Sequence, residues 1–216
     1  MGDIDLVLLS VIIINVLFSL KGFNDLSFFE KYKFNIGAIR SGEQIRMISS
    51  AFLHADTMHL FFNMLTLYFF APPVIAYLGA IKFLIIYVGS LLLGNLLSFS
   101  FHKNEYHYSA VGASGAVSGV IYAAILFRPD MNLYLMFIPI PIPAYIFGIG
   151  YLLFSIYGIK SKLGNIGHDA HFGGAVGGYI LTLLFAPVLL TTNMVMVGLL
   201  AIPIIILFVM KKLGKI

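Results

Sequence analysis

Residues 112–119, with the sequence GASGAVSG, and residues 170–178, with the sequence AHFGGAVGG, decide the fold and the chemistry of this chain. Each stretch places a polar side chain, Ser114 in the first and His171 in the second, at the start of a glycine-studded apolar segment. Polar side chains inside hydrocarbon are costly, so they are functional candidates by default. Ser and His are also the minimum set for an activated nucleophile. Together they point to hydrolysis of peptide bonds inside a membrane.

The glycines predict how the two stretches pack. Gly115 and Gly119 form a small-xxx-small stripe, which lets two helix backbones approach closely in lipid. Gly174 and Gly178 share the helix face of the histidine that precedes them. Packing the two stripes together would bring the serine and the histidine within hydrogen-bond reach. The alternative is that both stripes serve packing alone and that the serine bonds back to its own helix.

Composition makes this an integral membrane protein. The 216 residues are 60% hydrophobic and 10% charged, with a mean hydropathy of +0.99, whereas a soluble domain carries roughly 25% charged residues. We expect no separate soluble domain of typical size within these residues. The net charge of +4 fits membrane lipid better than nucleic acid. We expect a multi-pass protein of the plasma (cell) membrane, and no nucleic-acid partner.

Apolar segments long enough to span, at about 20 residues each, predict an all-α polytopic protein. The predicted helices are 4–20, 58–78, 82–101, 113–128, 133–157, 168–187 and 192–210. The fourth is short and suits a buried central position. The fifth carries Pro139, Pro141 and Pro143 and should be kinked or split there. Residues 21–57 alternate aromatic and charged side chains, which predicts a loop lying partly in the membrane or an ordinary amphipathic connector.

A second polar group, His54, His59 and Asn63, lies at the start of the second predicted helix. His59 and Asn63 are four residues apart and share a face. Each offers an N–H donor, and two donors aimed at one point suit a developing oxyanion. The alternatives are metal binding and loop polarity. Metal is disfavoured because no carboxylate stands at helical spacing and His-Glu-x-x-His is absent. We predict no metal and no cofactor.

Asp169 is the nearest carboxylate to the candidate base, but it lies two positions from His171 and thus on roughly the opposite helix face. The sequence therefore predicts a Ser–His dyad without a third acid. His168 shares the face of His171, where it would tune the dyad or face the aqueous mouth of the site.

In these motifs the chain resembles the rhomboid family of intramembrane serine proteases. The resemblance covers about residues 45–180. The family's His-x4-His-x3-Asn run stands at residues 54–63, its Gly-x-Ser-Gly at 112–115 and its Ala-His-x2-Gly-x3-Gly at 170–178. The resemblance implies a six-helix core with a membrane-embedded first loop. Residues 1–216 would form one rhomboid-like domain, with a catalytic core at about 45–190 and an extra helix at 192–210.

The resemblance implies Ser114 as nucleophile and His171 as base. His59, Asn63 and the backbone N–H of Ser114 would stabilise the oxyanion. It also implies a mobile fifth helix near the substrate entrance. The residues that would support the active site are His54, Gly112, Gly115, Gly174, Gly178 and Arg46.

Two positions depart from the family pattern. The Trp-Arg pair of the first loop is Ile45-Arg46 here, so the structural Arg is kept and the Trp is lost. Many members carry an aromatic residue four positions after the nucleophile, stacked on the catalytic His, and this chain has Ser118. The ring of His171 is therefore expected to be held differently, for instance by another aromatic side chain, and activity could be lower.

The function predicted from these residues is intramembrane serine endopeptidase activity on transmembrane segments of other proteins. The first alternative is an inactive rhomboid-like protein that binds transmembrane clients. A small transporter or channel is the second, since polar residues at the midplane occur there too. However, no repeat symmetry and no buried acid for ion coupling are evident. The sequence does not indicate an oligomeric state.

Overall fold

A computed structural model describes residues 4–134, 140–164 and 166–216, and this part of the chain is predominantly helical. In chain order, the elements are α1 (Leu6–Asn24), α2 (Leu26–Tyr32), β1 (Phe34–Asn35), α3 (Ile36–Arg40), α4 (Arg46–Ser49), a 3-10 turn (Ser50–Phe52), α5 (Thr57–Leu78), α6 (Ala80–His102), β2 (Ser109–Ala110), α7 (Ser114–Phe127), β3 (Asn132–Tyr134), β4 (Pro141–Pro143), α8 (Ala144–Ser161), α9 (His168–Phe185), α10 (Leu189–Thr192) and α11 (Met194–Lys212).

The predicted all-α polytopic membrane fold is confirmed. Within the described residues, five helices are long and apolar enough to cross a membrane, namely α1, α5, α6, α8 and α11. Helix α11 corresponds to the additional C-terminal helix predicted at 192–210. Helix α7 is shorter, with 14 residues, and every residue from 115 to 126 is buried. The prediction that it forms a short, buried central helix is also confirmed.

The glycine stripes pack against each other as predicted. A Cβ built on Gly174 would lie 2.6 Å from the carbonyl carbon of Gly115, and one on Gly178 would lie 2.5 Å from the Cα of Gly119. Because the pairing advances four residues on both helices, α7 and α9 are parallel. Helix α6 packs on α9 in the same close manner, since a Cβ on Gly173 would lie 2.9 Å from the Cα of Gly94. These contacts need glycine because any side chain would force the backbones apart.

The predicted fifth helix, 133–157, is wrong in its first half. Strands β3 and β4 pair antiparallel there, with Leu133 opposite Ile142, and α8 begins only at Ala144. Pro141 and Pro143 lack an N–H, and each disfavours helical backbone in the residue before it. They therefore precede the helix instead of kinking it. Pro139 lies outside the described residues.

The predicted loop at 21–57 is a folded unit of short helices instead of a plain connector. Helix α1 continues to Asn24, and α2, α3, α4 and the 3-10 turn follow. Arg46 joins these pieces: its guanidinium donates to the carbonyl of Glu30 at 2.7 Å and to that of Lys33 at 3.0 Å, and it pairs with Glu43 at 2.7 Å. Arg46 is only 8% exposed. Its position accords with the structural role that the resemblance implies.

Candidate active site

Three helices begin at one end of the molecule, and the polar residues predicted for the site lie there. Helices α7 and α9 run parallel, so their first turns lie side by side. The first turn of α5 joins them, because the ring of His59 lies against Gly112, just before α7. Helix N-termini carry partial positive charge and unpaired N–H groups. This end of the fold is therefore suited to hold a developing negative charge.

Ser114 is the first residue of α7. The residue before it, Ala113, offers no side-chain acceptor to the first turn, so the backbone N–H of Ser114 has no side-chain cap. Gly112 has a φ of +128°, a conformation that favours glycine. A Cβ built there would lie 2.8 Å from Nε2 of His59 and 3.7 Å from Oγ of Ser114. Glycine at this position thus allows the ring of His59 to approach the candidate nucleophile.

His171 lies in the first turn of α9 and is half-buried. Among the residues that the structure describes, neither its ring nitrogens nor Ser114 Oγ forms a hydrogen bond, so the bond between the two is not made. The ring instead stacks on that of Tyr151, with centroids 6.0 Å apart and planes inclined by 22°. The structure thus brings the helices that carry Ser114 and His171 into contact without a hydrogen bond between the two side chains. Catalytic hydrogen bonds are often long or misaligned without substrate.

The hydrogen bonds of His59 and Asn63 determine which of their N–H groups are free for a ligand. The Ala55 N–H approaches Nδ1 of His59 at 3.4 Å, so in neutral imidazole the proton lies on Nε2, the nitrogen that faces Gly112. The side-chain amide of Asn63 donates one hydrogen to the His59 carbonyl at 3.0 Å. An amide carries two, so one hydrogen remains. Both side chains retain the donor that an oxyanion site would use.

His54 is fully buried in the loop before α5 and fastens the segment that leads into α7. Its Nε2 accepts the N–H of Ala113 at 3.3 Å, so its Nδ1 carries the proton and donates to Ser19 Oγ at 2.8 Å. Ser19 Oγ in turn donates to the carbonyl of Phe52 at 3.0 Å. Burial lowers the pKa of His54 to about 3. A neutral His54 therefore connects the loop that precedes Ser114 to α1.

Asp169 does not orient His171. Its carboxylate lies 3.3 Å from Nε2 of His102 on α6, and the other ring nitrogen of His102 lies 2.8 Å from Glu105. The dyad without a third acid stays a prediction. His168 is 4% exposed, and its ring packs against Gly158 of α8. The idea that His168 faces the aqueous mouth is therefore wrong.

Sequence reasoning missed Tyr151, whose ring stacks on that of His171. Its hydroxyl lies 2.7 Å from Oγ of Ser118, and Phe147 stacks on its ring at 5.9 Å. Nothing in the pattern of the fifth apolar segment distinguishes Tyr151 from its other aromatic residues. The one indication in the sequence was Ser118, because the family resemblance implies an aromatic residue at that position and a serine there leaves the contact with His171 to another ring.

Comparison with known proteins agrees with these features. The family model described as "Rhomboid domain" matches residues 41–188, which include α5 to α9 and the candidate residues Ser114, His171, His59 and Asn63. The chain belongs to the rhomboid family.

Several curated rhomboid proteins are similar to the chain. RHOMBOID-like protein 12, mitochondrial, from Arabidopsis thaliana is 30% identical over 168 residues, which cover 71% of this chain and 50% of that protein. Rhomboid protein 1, mitochondrial, from Saccharomyces cerevisiae is 30% identical over 140 residues, covering 63% and 40%. Rhomboid protease GluP from Bacillus subtilis is 30% identical over 143 residues, covering 65% and 26%. The chain spans about half or less of the length of these relatives.

Proposed function

We propose that this rhomboid is an intramembrane serine endopeptidase that cleaves transmembrane segments of other proteins with a Ser114–His171 dyad. The observation that carries the proposal is the glycine-on-glycine contact of α7 with α9, which sets the first turns of the two helices side by side. The name of the related Bacillus subtilis protein, Rhomboid protease GluP, supports the same chemistry.

In the proposed reaction, His171 accepts the proton of Ser114 Oγ while that oxygen bonds to the carbonyl carbon of the scissile peptide. The Nε2–H of His59, the free amide hydrogen of Asn63 and the N–H of Ser114 would stabilise the oxyanion. Collapse of the tetrahedral intermediate breaks the C–N bond, and His171 gives its proton to the leaving amine. Water, activated in turn by His171, then hydrolyses the ester on Ser114.

A substrate helix would enter laterally between α5 and α8. The opposite flank of α9 is covered, because Tyr179 Oη donates to the carbonyl of Val197 on α11 at 3.0 Å. An intact helix hides its carbonyls in hydrogen bonds, so the segment must unwind near the cleavage site. We therefore expect a preference for segments with Gly, Pro or other helix-weakening residues near one end.

The proposed partners are transmembrane substrates and membrane lipid, and the proposed location is the plasma membrane. The names of two relatives place those proteins in mitochondria, so an organellar membrane is the competing location. Membrane fractionation followed by immunoblotting separates the two.

The test is cleavage of a model transmembrane substrate in proteoliposomes by the wild type and by Ser114→Ala. Loss of a nucleophile costs orders of magnitude in kcat and leaves the residual contribution of the oxyanion site. Ser10→Ala is the matched control, because Ser10 Oγ is exposed and bonds to its own helix at 2.7 Å. Wild-type and Ser10→Ala proteins should both cleave. Full activity in Ser114→Ala would overturn the assignment.

The alternative is a rhomboid that binds transmembrane clients without cutting them. It predicts no turnover by the folded wild type, no labelling of Ser114 by a fluorophosphonate probe, and client binding that Ser114→Ala leaves intact. Labelling of Ser114 without cleavage of the first substrate would retain the dyad and direct the search to other substrates.

A further inference from the structure

The hydroxyl of Ser118 connects α8 to the residue that would act as nucleophile. Ser118 is 1% exposed, and its Oγ lies 2.7 Å both from the carbonyl oxygen of Ser114 and from Oη of Tyr151. The carbonyl only accepts, so Ser118 donates to it. The single Ser118 proton is then used, and Tyr151 must donate to Ser118 Oγ. The chain of bonds thus runs from Tyr151 through Ser118 to the backbone of Ser114.

While the hydroxyl of Tyr151 bonds to Ser118, its ring stacks on the ring of His171. Phe147, one turn earlier on α8, stacks on Tyr151 with the planes inclined by 12°, and Tyr151 stacks on His171 at 22°. The ring of His168 lies 6.3 Å from that of His171 and nearly perpendicular to it. Parallel offset rings and edge-to-face rings are both favourable aromatic geometries. His171 therefore has aromatic contacts with two rings, those of Tyr151 and His168.

A catalytic histidine needs something to fix its orientation, and in a triad a carboxylate does so. Here the carboxylate of Asp169 pairs with His102. Within the described part of the chain, no hydrogen bond holds the ring of His171. The ring contacts with Tyr151 and His168 remain to set the side-chain torsions of His171, and of these two rings that of Tyr151 stacks on the imidazole.

We propose that Tyr151 is a positioning residue for His171, with Ser118 as its anchor, and that this pair replaces an aromatic ring on α7. The proposal rests on the proposed protease function. The small side chain at position 118 leaves room for a ring that arrives from α8, and its hydroxyl holds that ring by the phenolic oxygen. The two positions are therefore interdependent.

The test measures kcat and KM for the transmembrane substrate in proteoliposomes. Tyr151→Leu removes the ring and should lower kcat by about 10- to 100-fold, because the base is no longer aligned, with KM unchanged. Tyr151→Phe removes the hydrogen bond between Tyr151 and Ser118, and Ser118→Ala removes that bond together with the one to the Ser114 carbonyl. Each variant should lower kcat by about three- to tenfold. The double variant should be no worse than Ser118→Ala alone, since Ser118→Ala already removes the bond that Tyr151→Phe removes.

The control is Tyr157→Leu, which removes an exposed tyrosine from the same helix and should leave kcat unchanged. Rescue is tested with Ser118→Tyr combined with Tyr151→Ala, which returns a ring to α7 and should recover activity lost in Tyr151→Ala. Thermal midpoints identify any variant that fails to fold. Wild-type kcat in folded Tyr151→Leu would overturn the proposal and leave the protease function standing.

A readout that does not depend on turnover separates the two proposals. The ring protons of His171, observed in histidine-labelled protein by NMR and assigned with His171→Asn, should carry a ring-current shift from Tyr151. The shift should disappear in Tyr151→Leu and persist in Tyr151→Phe. An unchanged spectrum in Tyr151→Leu would refute the contact. A wild type that shows the shift but lacks turnover and probe labelling would instead refute the protease function.

Discussion

Gly174→Ala tests whether the contact between α7 and α9 aligns the dyad. The new Cβ would lie 2.6 Å from the carbonyl carbon and 3.0 Å from the Cα of Gly115, whereas carbon atoms in contact lie about 3.5–4.0 Å apart. Both obstacles are backbone, so no rotamer change relieves them. The helices must separate by about 1 Å beside Ser114 and His171.

A shift of about 1 Å in a catalytic group costs about 100-fold in rate. Overpacking costs about 1–3 kcal/mol in stability. We therefore expect Gly174→Ala to lower kcat by about two orders of magnitude and to lower the thermal midpoint moderately. Cleavage in proteoliposomes measures the first effect, and thermal unfolding in detergent measures the second.

The matched control is Gly198→Ala in α11, where an added Cβ meets nothing within 4 Å. Alanine in a helix is more favourable than glycine by about 0.5–1 kcal/mol, so this variant should be as active as the wild type and at least as stable. Wild-type cleavage and an unchanged thermal midpoint for Gly174→Ala would refute the argument that this backbone contact sets the alignment.

Two further predictions concern stability. Arg46→Ala leaves two carbonyls at the end of α2 without their donor, which costs about 1–3 kcal/mol; it should lower the thermal midpoint, while kcat measured well below that midpoint stays near the wild-type value. His54 has a folded pKa of about 3, below its unfolded value near 6.5, so its contribution to stability is complete above pH 6.5 and is lost as the pH falls towards 3. Through this one group, the free energy of unfolding changes by at most about 1.4 kcal/mol per pH unit. The thermal midpoint of His54→Asn should therefore fall less steeply between pH 7 and pH 4 than that of the wild type.

The sequence predicted the central contact correctly because it depends on spacing within single helices. Gly115 and Gly119, like Gly174 and Gly178, recur every four residues, and this period places them on one face whatever surrounds the helix. The orientation of Asp169 away from His171 followed from the same geometry. These features depend only on which residues share a face of one helix, so they could be predicted from the sequence alone.

The errors arose where a distant part of the chain decides the outcome. Apolar residues from 133 onward suit a spanning helix, and it is strand pairing together with Pro141 and Pro143 that moves the start of α8 to Ala144. Tyr151 lies 33 residues from Ser118, and no periodicity connects two helices at that distance. Which ring reaches His171 is a property of the packed bundle.

The length of α7 has a consequence for how the protein matches its bilayer. The five apolar helices of 18 to 23 residues measure about 27–35 Å at 1.5 Å per residue, near the hydrocarbon thickness of about 30 Å. Helix α7, with 14 residues, measures only about 21 Å, and its neighbours enclose it from residue 115 to residue 126. The helices long enough to match the membrane thickness are thus different from the helix that carries Ser114. For the proposed protease, we expect thinner or thicker lipid to shift a substrate helix relative to Ser114 and to change which peptide bond lies beside it.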